Sequence, residues 1–197
     1  MQANVGVFLD RDGTINTEVD FLSKPQDLEL IPHAAEAICE LNRLGLPVFV
    51  ITNQSGIARG FFSERELQRV HDRLKQLLEA HSAKIDGIYY CPHHPTLGVP
   101  PFNVECACRK PKTGMLDAAS RDFGVTLERS FLVGDRLVDM EAGRAAGCTT
   151  FLVRTGYGAA EEEECLASNC ADHVVGNIYD AVQVIKQKIS NLHPISL

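Results

Sequence analysis

The 197-residue chain is 45% hydrophobic and 23% charged, with a formal net charge of −7 and seven cysteines. That composition fits one globular domain, residues 1–197, long enough to bury a core, and the acidic balance argues against a nucleic-acid surface. No apolar run nears the roughly 20 residues that a membrane-spanning helix needs; without an export signal, and with an odd cysteine count that disfavours a disulfide framework, a cytoplasmic location is expected.

Val5-Gly6-Val7-Phe8-Leu9 reads as a strand buried on both faces of a parallel sheet. It ends in Asp10-Arg11-Asp12-Gly13-Thr14, which places two carboxylates beyond the carboxyl end of a strand, where such sheets bind ligands. Asp10 and Asp12 can share one hard cation such as Mg2+ and leave room for phosphate oxygens, while Gly13 permits a sharp turn. A plain Asp/Gly turn is the alternative, and the later motifs decide between the two.

Asn16 to Glu29 is polar and reads as a loop, in which Glu18-Val19-Asp20-Phe21 either folds over the site or forms a surface connection. Pro32 opens a helix of about Ala34 to Leu44 that Gly45 stops. Leu46 to Ile51 is a second strand, followed by Thr52-Asn53-Gln54-Ser55-Gly56. Thr52 can hold a phosphate oxygen through its hydroxyl and amide, or simply cap the strand. One loop, one helix and one strand use up the residues between Asp12 and Thr52, so no cap domain fits there, which also points to a monomer.

Ser63-Glu64-Arg65-Glu66 is a capping box opening an amphipathic helix with Leu67, Val70, Leu74, Leu77 and Leu78 on its buried stripe. His71 and His81 on this helix are read as surface residues. Ile85 to Tyr90 is a third strand. Cys91-Pro92-His93 and Cys106-Ala107-Cys108 bracket a Pro/Gly-rich loop, 91–108, and supply three thiols and an imidazole suited to a closed tetrahedral zinc site. Cys91, His93, Cys106 and Cys108 are the expected ligands, with His94 as substitute for His93; Cys39 and Cys148 read as buried small hydrophobes.

Arg109-Lys110-Pro111 follows directly and leads into a helix of Gly114 to Phe123. Lys110 suits a fixed charge offsetting phosphate, and the planar fork of Arg109 suits a second anionic or polyol group. Ser130 to Asp135 repeats the opening pattern, so Asp135 completes the magnesium site from a neighbouring strand. Asp139 begins the next helix in a capping role, and Arg136 reaches toward substrate. Thr149 to Val153 is a further strand, Glu161 to Glu164 a solvated helix start, and Ile178 to Ile189 an amphipathic terminal helix.

Asp10-x-Asp12-Gly13-Thr14, Thr52, Lys110 and Gly134-Asp135 resemble, in order, the motif set of haloacid dehalogenase-type phosphatases. Thr52 to Gly60, the long loop between the zinc pairs and Cys-x-Cys-Arg-Lys-Pro resemble more narrowly the family of D-glycero-D-manno-heptose 1,7-bisphosphate 7-phosphatases, which serve synthesis of the heptose in bacterial lipopolysaccharide or glycoproteins. The resemblance implies a doubly wound, mostly parallel α/β sheet without a cap. It also implies that Asp10 attacks phosphorus and forms an aspartyl phosphate while Asp12 handles protons. Mg2+ would rest on Asp10, the backbone carbonyl of Asp12, and Asp135. Glu18, Val19, Asp20, Phe21, Asn53, Gln54, Ser55, Arg109 and Arg136 would contact a small sugar bisphosphate. Arg136 departs from the lysine of the family pattern. Histidinol-phosphate phosphatase domains share the zinc loop and catalytic set, and a phosphate-binding module is the non-enzyme alternative. A P-loop kinase is excluded by the lack of Gly-x-x-x-x-Gly-Lys-[Ser/Thr].

Overall fold

The computed structural model describes residues 5–192. Six strands form one sheet: β1 (Val7–Leu9), β2 (Val48–Asn53), β3 (Gly87–Cys91), β4 (Phe131–Gly134), β5 (Thr149–Val153) and β6 (His173–Val175). Their order is β3-β2-β1-β4-β5-β6 and every pairing is parallel, so the sheet is doubly wound as expected and parallel throughout. Among the described residues five α-helices connect successive strands, α1 (Ala34–Arg43), α2 (Glu64–Glu79), α3 (Gly114–Phe123), α4 (Leu137–Ala145) and α5 (Gly158–Ala167), and α6 (Ile178–Leu192) follows β6. None is long and apolar enough to cross a membrane.

Strand alternation divides the core in two. Val7, Leu9, Val48, Val50 and Val133 pack under α1, α2 and α6, whereas Phe8, Phe49, Leu132 and Leu152 pack under α3, α4 and α5. Leu132 has no exposed surface, and truncating such a residue to alanine costs about 2–5 kcal/mol.

Local signals were followed closely. Ser63 and Glu66 form the expected capping box, α3 keeps its predicted bounds, and Gly45 stops α1 with φ 72°. Strands β2 and β3 run past their predicted ends into Asn53 and Cys91, because pairing with a neighbour continues after the apolar run stops. Helix α5 begins at Gly158, so Glu161 to Glu164 lies inside the helix instead of starting it. His71 is a correction: it is 2% exposed and sits among the buried residues of α2, whereas His81 is exposed as expected. Cys39 and Cys148 are buried.

Candidate active site

Strand order reverses between β1 and β4, and the crevice at such a switch point lies beyond the carboxyl ends of the strands. Asp10 follows β1, Thr52 lies in the last turn of pairing of β2, and Asp135 follows β4. These three and Lys110 line one cleft of about 380 Å³ together with Asp12, Glu18, Asp20, Phe21, Asn53, Gln54, Ser55, Arg109 and Arg136. Val19, flanked by Glu18 and Asp20, is exposed and does not line it. Arg59, Tyr157 and Asp139 also line the cleft.

Lys110 is the electrostatic centre. Its Nζ lies 2.8 Å from Asp10 Oδ1 and 2.6 Å from Asp139 Oδ1, and donates to the carbonyl of Ile51 at 2.9 Å. Burial favours the neutral amine, but the two carboxylates outweigh it and raise the ammonium's pKa. Asp139 therefore does more than cap: Oδ2 accepts from Arg136 N at 3.1 Å while Oδ1 faces Lys110. Gly134 makes room for it, since a Cβ there would fall 2.5 Å from the Asp139 side chain.

Oxygens of Asp10, Asp135 and Asp139 lie within 4.8 Å of one another. Burial and the two other carboxylates push Asp135 up to about 9. Burial likewise lifts Asp10 to about 7, with Lys110 opposing and Asp139 and Asp12 reinforcing the rise. Tyr157 N donates to Asp135 Oδ2 at 2.9 Å, and Asp135 Oδ1 is buried without a partner. Three crowded carboxylates, one of them with an orphaned oxygen, form an oxygen-donor set that fits a hard divalent cation.

Asp12 departs from the expectation that both carboxylates of the motif meet at one ion, in that its side chain serves a different network. Arg11, wholly buried, donates to Oδ1 from Nε at 3.1 Å and from Nη2 at 3.0 Å, and Nη2 reaches Oδ2 at 2.8 Å. Asn16 Nδ2 donates to Oδ1 at 2.9 Å and Gln54 Nε2 to Oδ2 at 3.0 Å. Burial works against the charge on Asp12, but Arg11 foremost, with Asn16 and Gln54, holds the carboxyl below its ordinary value. Arg11 and Asn16 were not singled out from sequence.

The Cys/His loop feeds this site. Cys91 Sγ lies 3.5 Å from Cys106 Sγ and 3.7 Å from His93 Nδ1, and Cys108 Sγ lies 3.3 Å from Cys106 Sγ and 3.5 Å from His93 Nδ1. Those separations lie at or a little inside the edges of a tetrahedron around zinc, about 3.5–3.8 Å for ordinary bond lengths, so the four ligand atoms are already gathered about one point. His94 is not the substitute ligand: its Nδ1 accepts from the backbone of Thr96 and Leu97. Arg109 Nη1 donates to the carbonyl of His93 at 3.2 Å, so the loop grips the residue beside Lys110.

At the rim, Arg136 is held by Glu161 at 2.6 Å and covers the Tyr157 ring at 4.3 Å. Glu18 is pushed up to about 7, mainly by burial and then by Asp12 and Asp10. Phe21 packs edge-on against Phe61 at 4.6 Å, and Arg59 lies over its ring at 5.5 Å.

A parallel sheet of this order, with a lysine-bridged carboxylate cluster at the reversal point, defines a hydrolase of the haloacid dehalogenase-like class; the HAD-hydrolase-like family model matches residues 107–181. The chain is 41% identical over 183 residues to the D-glycero-beta-D-manno-heptose-1,7-bisphosphate 7-phosphatase of Escherichia coli (strain K12), covering 92% of this chain and 94% of that protein. The protein of the same name from Vibrio cholerae is 40% identical, covering 87% and 93%. The crystal structure of D,D-heptose 1,7-bisphosphate phosphatase from B. bronchiseptica, complexed with magnesium and phosphate, superposes with a TM-score of 0.81 at 33% identity, covering 93% and 99%. The chain belongs to the D-glycero-beta-D-manno-heptose-1,7-bisphosphate 7-phosphatase family.

Proposed function

We propose that this chain removes the 7-phosphate of D-glycero-D-manno-heptose 1,7-bisphosphate by way of a phosphorylated Asp10, in bacterial heptose synthesis. The observation that carries the reading is the 2.8 Å contact between Lys110 and Asp10, made at the base of the cleft in a chain whose relatives bear that activity in their names.

One carboxylate oxygen of Asp10 attacks phosphorus and the bond from phosphorus to the sugar oxygen breaks. Lys110 and the Thr52 hydroxyl take the phosphoryl oxygens, where charge is held through the transfer. Asp12 gives a proton to the departing sugar oxygen. Water then attacks the acyl phosphate, its proton passes to Asp12, and phosphate and a free Asp10 result. The dianionic phosphate entering beside Asp12 raises that carboxyl's affinity for the proton it must carry. Mg2+ on Asp10, the Asp12 carbonyl and Asp135 would supply charge neutralisation for phosphate; Zn2+ on Cys91, His93, Cys106 and Cys108 would be structural, as no ligand position stays open.

Arg59, Arg109 and Arg136 give the cleft wall three guanidinium groups, suited to the second phosphate of a bisphosphate. Glu18 and Asp20 can accept from sugar hydroxyls, and Phe21 offers an apolar wall. The protein would act as a cytoplasmic monomer of one domain.

Phosphate release from heptose 1,7-bisphosphate and from histidinol phosphate, with Mg2+ and one preparation, tests the reading. A large kcat/KM preference for the bisphosphate is expected, together with loss of turnover in Asp10→Asn. Preference for histidinol phosphate would overturn the substrate, and turnover surviving in Asp10→Asn would overturn the nucleophile.

A further inference from the structure

Gln54 was expected among the substrate contacts, but its side-chain nitrogen is already committed. Nε2 donates to Thr52 Oγ1 at 2.8 Å and to Asp12 Oδ2 at 3.0 Å. A primary amide nitrogen has two hydrogens, and these two acceptors use both. The residue is 5% exposed, and its backbone is tied down by donation from Gln54 N to Cys91 O at 2.8 Å. The amide cannot be turned over, because its oxygen would then face a carboxylate that only accepts.

We infer that Gln54 is a positioning residue that couples the phosphate-holding hydroxyl to the proton-handling carboxylate, an inference that rests on the phosphatase reading. By donating to Thr52 Oγ1 it occupies an acceptor site on that hydroxyl, which leaves the hydroxyl hydrogen free for a phosphoryl oxygen. By donating to Asp12 Oδ2 it shares that oxygen with Arg11 Nη2, while Arg11 and Asn16 hold Oδ1, so Gln54 ties the carboxylate to the Thr52 side of the cleft. Its work is thus felt in the chemical steps and not in substrate affinity. Asp12 acts twice, first as acid toward the sugar oxygen and later as base toward water. Loss of its alignment slows both steps for a sugar phosphate, but only the second for an aryl phosphate whose leaving group needs no proton.

The test compares wild type with Gln54→Met and the isosteric Gln54→Glu on heptose 1,7-bisphosphate and on 2,4-dinitrophenyl phosphate. On the sugar phosphate, kcat should fall about 10- to 100-fold with KM within twofold, a part of the range for acid–base catalysis. On the aryl phosphate, each variant should release one equivalent of dinitrophenolate in a burst, then turn over slowly as the aspartyl phosphate waits for hydrolysis. Gln54→Glu keeps the volume but sets a carboxylate against Asp12, so it should be the slower variant. A raised KM with unchanged kcat would overturn the inference in favour of a sugar contact. Equal loss on both substrates without a burst, in variants with lowered Tm, would overturn it in favour of packing. If wild type turns over neither substrate, the phosphatase reading itself fails.

Discussion

Asn53 and Lys110 hold each other through a closed pair of hydrogen bonds. Lys110 N donates to Asn53 Oδ1 at 3.1 Å, and Asn53 Nδ2 donates to Lys110 O at 3.2 Å. The last residue of β2 thereby fixes the backbone that carries the lysine of the carboxylate cluster. Each such bond contributes about 1 kcal/mol. Asn53→Ala should lower kcat about 10-fold while KM moves little, as steady-state kinetics would show. A KM that climbs at constant kcat would instead make Asn53 a sugar contact.

Metal in the Cys/His loop should control the same lysine from its other side. Cys106→Ser should reduce the zinc content found by elemental analysis, and phosphatase activity should fall with it by 10-fold or more, because Arg109 and Lys110 lose their anchored approach. Far-ultraviolet circular dichroism should keep the signature of the sheet. Full activity in zinc-free protein would show that the loop holds its course unaided.

Gly156 has φ 57°, and a Cβ there would fall 2.1 Å from Asp135 Oδ2 and 2.7 Å from Gly13 Cα. Gly156→Ala should shift Asp135 and raise the Mg2+ concentration for half-maximal activity by 10-fold or more. Gly45→Ala is the comparison: φ is 72°, but nothing lies within 4 Å. It should carry a backbone penalty of roughly 1 kcal/mol and leave Mg2+ dependence alone.

His71 is pushed down from 6.5 to about 3, first by burial and then by the Arg11 cation, with Asp12 opposing. A histidine whose folded pKa is depressed binds fewer protons when folded than when unfolded. Its contribution is therefore present above the unfolded value of 6.5 and is lost as pH falls from there toward 3. His71→Leu should flatten that part of the acid decline in urea titrations. It should also be neutral or stabilising at pH 7.5, since Nε2 is buried without a partner. An unchanged acid slope would remove His71 from the balance.

The elements that sequence showed best were those in which one physical pattern acted alone. Two-sided apolar runs marked β1, β2, β4 and β5, and the Ser63/Glu66 pair marked the start of α2. Strand β6 was not identified because His173–Val175 is a three-residue edge strand, half-buried, with too little apolar surface to stand out. The case of His71 is different, because it lies four residues after Leu67 and three before Leu74 on the buried stripe. There spacing was informative and residue type misled. In the site, the residues at strand ends were legible, whereas Arg11, Asn16 and the inward work of Asn53 and Gln54 depend on contacts across the fold that no local pattern carries.

The adjacency of β1 and β4 also bears on how the chain becomes competent during synthesis. Asp10 is made well before its lysine at position 110, and its carboxylate neighbours come only at 135 and 139. Until β4 has left the ribosome and paired with β1, the acidic centre does not exist. A growing or truncated chain ending just before β4 therefore carries Asp10 and Lys110 but lacks Asp135 and Asp139, and the carboxylate cluster is completed in one late step.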